Sequence, residues 1–311
     1  MIWLLTGLCG LLVLLLPGEA HAWGPFTHLL LARSVLSQAA ALPAGLGALL
    51  GSFTVDYLYG NLAADFTIAK NLASHLTHAH CWGNALKLLR HAGTDGERAF
   101  ALGYLSHLAA DGVAHNYFVP LKLVESYPDR WSNHALWEGR FDQASWEQVG
   151  PLDVHLVKGR FPANERLQAS QIPGTIFSYP TNRFLFSGFF RVQNLRPWQQ
   201  TMEQLALRSR SPITLEEREE ALRLSREAIV TMLWELQHSR VPAVDPRGLV
   251  ALAQASRVRT LLRRAARRGP RVPERILVRK YYQPAFRLAA SGPWQLPSFP
   301  RLSASLSVPS S

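Results

Sequence analysis

Histidines and carboxylates recur at helical spacing in the middle of the chain. His107, Asp111 and His115 are four residues apart, and His134 and Glu138 repeat this interval. On a helix, residues four apart lie on one face, so each set forms a stripe of side chains. Imidazole nitrogen and carboxylate oxygen are zinc ligands, and a carboxylate between two histidines can bridge two metal ions. The spacing suggests metal binding, although most such pairs in proteins are surface or hydrogen-bonded core residues.

The apolar neighbours of the first stripe favour the metal interpretation. Tyr104, Leu105, Leu108 and Val113 leave this helix little polar surface. Burying two histidines and an aspartate costs free energy unless they are paired or coordinated. A buried hydrogen-bond network would explain this helix, but it would not explain the second stripe or the upstream carboxylate Asp65.

A dense histidine cluster follows Asp65. His75, His78 and His80 lie close together, and we expect only one of them to be a ligand. Cys81 beside them could supply a thiolate, but a single buried cysteine is more often inert packing. The sequence thus adds Asp65 and one histidine to the candidates.

The N-terminal segment predicts a signal peptide at residues 1–22. Residues 2–16 are almost all apolar, and Ala20-His21-Ala22 has the pattern of a signal-peptidase site. Cleavage there would free the α-amine of Trp23, and an amine with His28 nearby can chelate metal. The mature protein would be secreted or periplasmic. No Lys or Arg precedes the apolar run, so an uncleaved membrane anchor is the alternative, and Trp23 would then have no free amine.

Helical spacing dominates the rest of the chain and predicts an all-α protein. Apolar residues recur at this spacing in Ala99–Ala110 and in other segments, and no useful run of alternating β-branched residues occurs. After the signal peptide we predict one domain over residues 23–245. A basic helical segment and a disordered tail are predicted over residues 246–311. Cys81 would be alone after cleavage, which excludes a disulfide framework.

The formal net charge is +11, and much of the excess lies between Arg257 and Lys280. A basic protein is attracted to polyanions, either nucleic acid or an anionic phospholipid surface. A solvated face without a partner is the other interpretation. Leu261 and Arg264 mark a helix with one apolar and one cationic face, which either docks on the domain or binds anionic lipid. No protein partner is indicated.

The order of the candidate residues resembles the zinc-dependent phospholipase C family. The wider relatives of this family are the GPI-specific phospholipases D and the zinc single-strand nucleases. The resemblance covers about Trp23 to Glu138. Within this range the order of residue types is tryptophan, histidine, aspartate, histidine, His-x-x-x-Asp, histidine and His-x-x-x-Glu. An ordered set is more specific than any pair within it. The resemblance implies a trinuclear zinc site on a multi-helix, all-α phospholipase C/nuclease-like fold.

The resemblance also assigns each candidate to one of three zinc ions. For the first ion the ligands are His28 and Trp23, the latter through its freed amine and its carbonyl. For the second ion they are Asp65, His80 and His107, and Asp111 bridges the first two ions. For the third ion they are His115, His134 and Glu138. His80 is preferred to His78 because its position two residues before Trp82 is closer to the family pattern.

Hydrolysis of phospholipid head groups by a metal-activated water is the activity that the resemblance implies. Asp65 would be a ligand, or it would also orient or deprotonate the water. A zinc nuclease on single-stranded nucleic acid and a non-catalytic zinc-stabilised membrane-surface module are the alternatives. The four-residue step from Asp111 to His115 is shorter than in the secreted bacterial phospholipases C and closer to the GPI-phospholipase-D branch. Head-group specificity therefore stays open, and no motif beyond Glu138 assigns the substrate pocket.

Overall fold

Helices make up the fold in the part of the chain that the computed structural model describes. That part comprises residues 23–67, 79–129, 132–146, 151–172, 178–208, 211–237, 244–268 and 275–291. Its helices are α1 (Pro25–Leu36), α2 (Ala44–Ser52), α3 (Thr54–Ala63), α4 (Trp82–His91), α5 (Asp95–Val113), α6 (Val119–Glu125), α7 (His134–Gln143), α8 (Pro151–Lys158), α9 (Pro162–Gln171), α10 (Tyr179–Gln193), α11 (Arg196–Arg208), α12 (Leu215–Gln237), α13 (Leu249–Arg268) and α14 (Arg275–Ser291).

No strand occurs within these ranges, which confirms the predicted all-α class. Among the described helices, none combines the length and apolar character needed to cross a membrane. The predicted signal peptide, the histidines His75 and His78, and the predicted disordered tail lie outside the described residues.

Helix α5 lies at the centre of the fold. It begins with a capping box in which the Glu97 amide donates to the Thr94 hydroxyl and the Thr94 amide donates to the Glu97 carboxylate. From Ala99 to Val113 every residue is buried, because α1, α3, α4, α9 and α12 pack around the helix. The polar residues within this stretch are therefore held in the interior of the protein.

Two glycines allow α3 and α5 to cross closely. A side chain at Gly60 would overlap the backbone of Phe100, and one at Gly103 would overlap the backbone of Tyr57. Since neither glycine has a β-carbon, the two backbones approach each other directly. This crossing brings the end of α3, where Asn61 and the 3₁₀ turn Ala64–Phe66 lie, beside the middle of α5.

A π-helical turn, Ala114–Phe118, joins α5 to α6. Such turns are rare and are frequent at functional sites, because they rotate the residues that follow relative to the preceding helix. Here the turn carries His115, and it contacts α12, α13 and α14 as well as its neighbours in the chain. His115 is therefore supported by α13 and α14 in addition to α12, which also packs on α5.

The basic C-terminal helices α13 and α14 pack on the domain, against α6 and the π-helical turn. Arg259 and Arg263 donate to the backbone carbonyls of Asp129 and Tyr127 just beyond α6. Buried Lys122 on α6 pairs with Glu217 at 3.2 Å, and Arg279 on α14 contacts the same carboxylate. Of the two sequence-based interpretations of this basic segment, the structure shows that it docks on the domain. The domain boundary at residue 246 stays a prediction.

Candidate metal centre

The structure brings eight of the nine predicted ligands into three groups whose potential ligand atoms lie within 4.8 Å of one another. Two of the groups share His107, and the members of all three are buried or partly buried. They are His28, His107 and Asp111; Asp65, His80 and His107; and His115, His134 and Glu138.

Asp111 is the junction of the first two groups. One carboxylate oxygen, Oδ1, lies 3.1 Å from His28 Nε2, and the other, Oδ2, lies 3.1 Å from His80 Nε2 and 3.2 Å from His107 Nε2. The His28 ring stacks on the His107 ring, with 3.7 Å between centroids. One carboxylate therefore faces three imidazoles that come from α1, α5 and the turn before α4. We name the set His28, Asp65, His80, His107 and Asp111 the inner cluster.

Asp65 completes the inner cluster from the 3₁₀ turn that follows α3. Its Oδ1 lies 3.3 Å from His80 Nε2 and 3.8 Å from His107 Nε2, and the two imidazole nitrogens are 3.0 Å apart. The Tyr104 hydroxyl donates to the Ala79 carbonyl and so fixes the turn that carries His80. His80 is thus within the cluster, while the competing His78 lies outside the described residues.

His115, His134 and Glu138, which we name the outer group, form the third set. Glu138 Oε1 lies 2.6 Å from His134 Nε2 and 3.6 Å from His115 Nε2. His134 and Glu138 occupy successive turns of α7, which begins with an Asn133 side-chain cap. The His134 side chain is 20 % exposed, whereas the other members of the three groups are almost fully buried. The site therefore opens toward solvent on the side of His134.

Backbone carbonyls orient two of the imidazoles. His107 Nδ1 lies 2.8 Å from the Asn61 carbonyl, and His115 Nδ1 lies 2.6 Å from the Pro246 carbonyl. Because a carbonyl only accepts, each Nδ1 carries the hydrogen and each Nε2 presents a lone pair to its group. This arrangement is the usual second layer of a histidine metal site.

The turn Val244–Gly248 supports the outer group from the far end of the chain. Besides the Pro246 contact, Trp82 Nε1 donates to the Val244 carbonyl at 2.7 Å and Asn116 Nδ2 donates to the Asp245 carbonyl at 2.8 Å. Gly248 has φ +54°, and a β-carbon there would overlap the His115 backbone. The turn therefore fits directly against His115.

The electrostatics of the inner cluster call for a cation. Burial lowers the pKa of His28 to about 4, and the electrostatic influence of the neighbouring His107 lowers it further. Burial alone would raise the pKa of the Asp111 carboxyl, but its electrostatic interaction with His107 and its contacts with three imidazoles hold the pKa well below its usual value. A neutral His28 imidazole and an ionised Asp111 carboxylate are the protonation states that metal ligands need.

Unsatisfied atoms in the described structure fit a bound metal as well. Both ring nitrogens of His28, both carboxylate oxygens of Asp111 and His115 Nε2 are buried without a hydrogen bond of normal geometry. Buried polar atoms rarely lack partners in native proteins. Nitrogen and oxygen donors in groups of three or more are a zinc ligand set, and a metal ion would satisfy the atoms that face these groups.

Trp23 lies two residues before α1, and its side chain is fixed in the core. Its ring packs against Phe118 and Phe141, and its Nε1 donates to the Ser225 hydroxyl at 3.1 Å. The His28 amide donates to the Gly24 carbonyl, so the Trp23 backbone is about one helical turn before His28. The role of its amine and carbonyl as metal ligands stays a prediction.

Asp142 is a supporting residue that the sequence reasoning did not single out. Its Oδ1 accepts from the Thr27 amide at 2.7 Å and from the Thr27 hydroxyl at 2.8 Å, at the start of α1. Helix α1 has Gly24 at its N-cap and no side-chain cap of its own, so the buried carboxylate from α7 takes that role. The sequence spacing could have identified it, because Asp142 follows Glu138 by the same four residues that separate His134 from Glu138.

Comparison with known proteins agrees with this geometry. A protein of Archaeoglobus fulgidus described as uncharacterized is 32 % identical over 120 residues, which is 37 % of this chain and 32 % of that protein. The chain thus spans about a third of the length of that relative. No solved structure matches the chain significantly. Residues 27–180 match the family described as zinc dependent phospholipase C, and this range contains every predicted ligand except Trp23. The chain therefore belongs to the zinc-dependent phospholipase C family.

Proposed function

We propose that the protein is a zinc-dependent phosphodiesterase that hydrolyses phospholipid head groups, as a secreted or periplasmic enzyme after signal-peptide cleavage. The observation that carries the proposal is the set of three ligand groups, two of which share His107 and meet at Asp111, within a chain of this family. Zinc held there would supply a water that ionises near neutral pH and would offset the negative charge of a phosphoryl group.

The residues of the chain have distinct roles in this proposal. His28 and Asp111 would hold one ion together with the freed Trp23 amine, and Asp65, His80 and His107 would hold a second. Asp111, which faces both groups, supplies the negative charge between them. The outer group would hold the third ion beside the opening at His134. The enclosure of the inner cluster strengthens these electrostatic interactions, because little water screens them.

Asp65 is the residue to which we assign a catalytic role. Its carboxylate is buried beside His80 and His107, where it can act as a ligand and can also orient the attacking water or accept its proton. The variant Asp65→Asn separates these functions. Loss of activity with unchanged zinc content would show the catalytic role, and loss of one zinc ion would show the ligand role. Asp95→Asn, at an exposed position, is the matched control and should change neither.

The experiment that tests the proposal uses one preparation of the mature protein. The N-terminus is sequenced, the zinc content is measured, and hydrolysis is assayed on phosphatidylcholine, phosphatidylinositol and single-stranded DNA. We expect Trp23 at the N-terminus, about three zinc ions per chain and turnover of a phospholipid. Fewer than two zinc ions with all ligands intact would refute the trinuclear site. Turnover of DNA alone would identify a nuclease, and bound zinc without any turnover would identify a non-catalytic module.

A further inference from the structure

Helix α13 is divided into arginines that dock and arginines that face solvent. Arg259 and Arg263 bind carbonyls of the domain, whereas Arg257, Arg264 and Arg267 are exposed. The exposed arginines recur at helical spacing and therefore share the outer side of the helix. Leu261 lies among them and is 48 % exposed, while Leu262 next to it is buried in the core. Docking thus uses one face of α13 and leaves a cationic face with an apolar residue in it.

Helix α14 presents a second exposed stripe, and this one is mainly apolar. Leu277, Tyr281 and Leu288 are exposed, the two leucines by 56 % and 63 %, and Pro284 and Lys280 are exposed on the same side. On the opposite side Val278, Tyr282 and Phe286 are buried against the domain. These apolar side chains keep much of their surface in solvent, and such a cluster of exposed apolar residues suggests a partner surface.

The position of α13 relates this surface to the metal centre. The helix starts at Leu249, directly after Gly248, which packs against His115 of the outer group. Farther along, Arg259 and Arg263 hold the carbonyls of Asp129 and Tyr127, a few residues before His134. The helix therefore runs from the outer group along α6 toward the segment that leads to the exposed ligand.

We propose that the outer faces of α13 and α14 form a docking surface for an anionic phospholipid bilayer. The arginines complement the negative charge of such a surface. The exposed leucines and Tyr281 favour lipid over nucleic acid, because an interfacial helix buries such side chains among head groups and acyl chains, whereas a phosphate backbone offers them no apolar contact. The surface would bring the proposed hydrolase to its substrate, but its binding to lipid is measurable without turnover.

The test measures binding of the full mature chain to vesicles by co-sedimentation, with phosphatidylglycerol mixed into phosphatidylcholine and with phosphatidylcholine alone. We expect binding to the anionic vesicles that weakens as salt increases. The triple variant Arg257→Gln/Arg264→Gln/Arg267→Gln should lower the partition coefficient by about 100-fold, since each cation near an anionic surface contributes about fivefold. The triple variant Arg160→Gln/Arg166→Gln/Arg196→Gln removes the same charge from exposed positions elsewhere and should have little effect.

The apolar stripe is tested in the same way. Leu277→Ser with Leu288→Ser should lower binding by about tenfold or more, since the transfer free energy of two leucines is lost. Phe184→Ser with Leu207→Ser, at other exposed positions, is the matched control. The proposal would be overturned if a variant and its control lost vesicle binding equally, or if the wild-type protein did not bind vesicles. Loss of single-stranded DNA binding with unchanged vesicle binding would also overturn it and would assign the surface to nucleic acid.

Activity on a short-chain, water-soluble phosphodiester separates this proposal from the proposed function. The α13 and α14 variants should retain that activity and lose activity on anionic vesicles, because they leave the metal centre unchanged. Vesicle binding without hydrolysis of either substrate would support the docking surface and refute the phosphodiesterase. Hydrolysis of both substrates at wild-type rates by the variants would refute the docking surface alone.

Discussion

The inner cluster and the outer group are built in different ways from the same kinds of residue. The inner cluster lies around the middle of the buried helix α5, and four separate segments of the chain supply its members. The outer group lies on the π-helical turn and the start of α7, has one partly exposed member, and depends on the turn Val244–Gly248 for the orientation of His115. The inner cluster is thus fixed by the core, whereas the outer group is fixed by contacts at its edge. We therefore expect the two to respond separately to mutation.

Asp111→Asn should have the largest effect, and it should be confined to the inner cluster. The variant removes the charge that faces His28, His80 and His107, so we expect loss of up to two zinc ions and retention of the outer one. Activity should fall by more than about 100-fold, because replacing even an outer partner of a metal ligand costs 10–100-fold. Metal analysis and kinetics on the same preparation test this. A variant that keeps all its zinc and its activity would remove Asp111 from the centre.

His134→Ala is the complementary change in the outer group. It removes the most exposed ligand while the inner cluster keeps its full set, so one zinc ion should be lost and two retained. Activity should fall by about tenfold or more. His91→Ala, at an exposed position outside the three groups, is the control. Loss of all zinc from His134→Ala would show that the two regions are one cooperative unit.

Spacing in the sequence identified most of the ligands, because residues four apart on a helix must share a face. His107 with Asp111, and His134 with Glu138, are adjacent in the structure for that reason. The single stripe expected from His107 through His115 is instead divided, since α5 gives way to the π-helical turn after Val113. A π-helical turn has no residue signature in this chain, so the separation of the two groups could not be predicted from spacing.

The supports of the site were harder to predict than its ligands. Pro246 and Asn61 act through backbone carbonyls, which every residue has, and they contact histidines far away in the chain. No side-chain pattern reports such a contact. Trp23, by contrast, stood out because of a cleavage pattern, yet its ligand role depends on a free amine and therefore on processing.

Asp142→Asn changes the contact between α7, which carries His134 and Glu138, and α1, which carries His28. Asp142 lies on α7 and caps α1. Burial raises the pKa of Asp142 from 3.8 to about 7. Between these values the folded protein holds a proton that the unfolded chain has released, so this group makes stability fall as pH rises from about 4 to 7. Above pH 7 the buried, ionised Asp142 lowers the free energy of unfolding by its full amount, up to about 4 kcal/mol.

The measurement compares metal-free wild type with Asp142→Asn by denaturant unfolding across this pH range. The difference in unfolding free energy should shift in favour of the variant as pH rises, since asparagine does not titrate. Metal-free protein is required because metal binding to the ligands depends on pH as well. A difference that does not vary with pH would show that Asp142 has an ordinary pKa.

Gly248→Ala should have the most local effect on metal content. A left-handed backbone conformation costs a residue with a β-carbon about 1–2 kcal/mol, and the β-carbon would also press on the His115 backbone. The turn should shift, the hydrogen bond from His115 to the Pro246 carbonyl should weaken, and the outer group should bind its zinc ion less tightly. Gly188→Ala, in α10 with open space around it, should be neutral or slightly stabilising. Weaker binding of all three ions in Gly248→Ala alone would contradict the separation of the two regions, because the predicted ligand that the turn orients is His115 of the outer group.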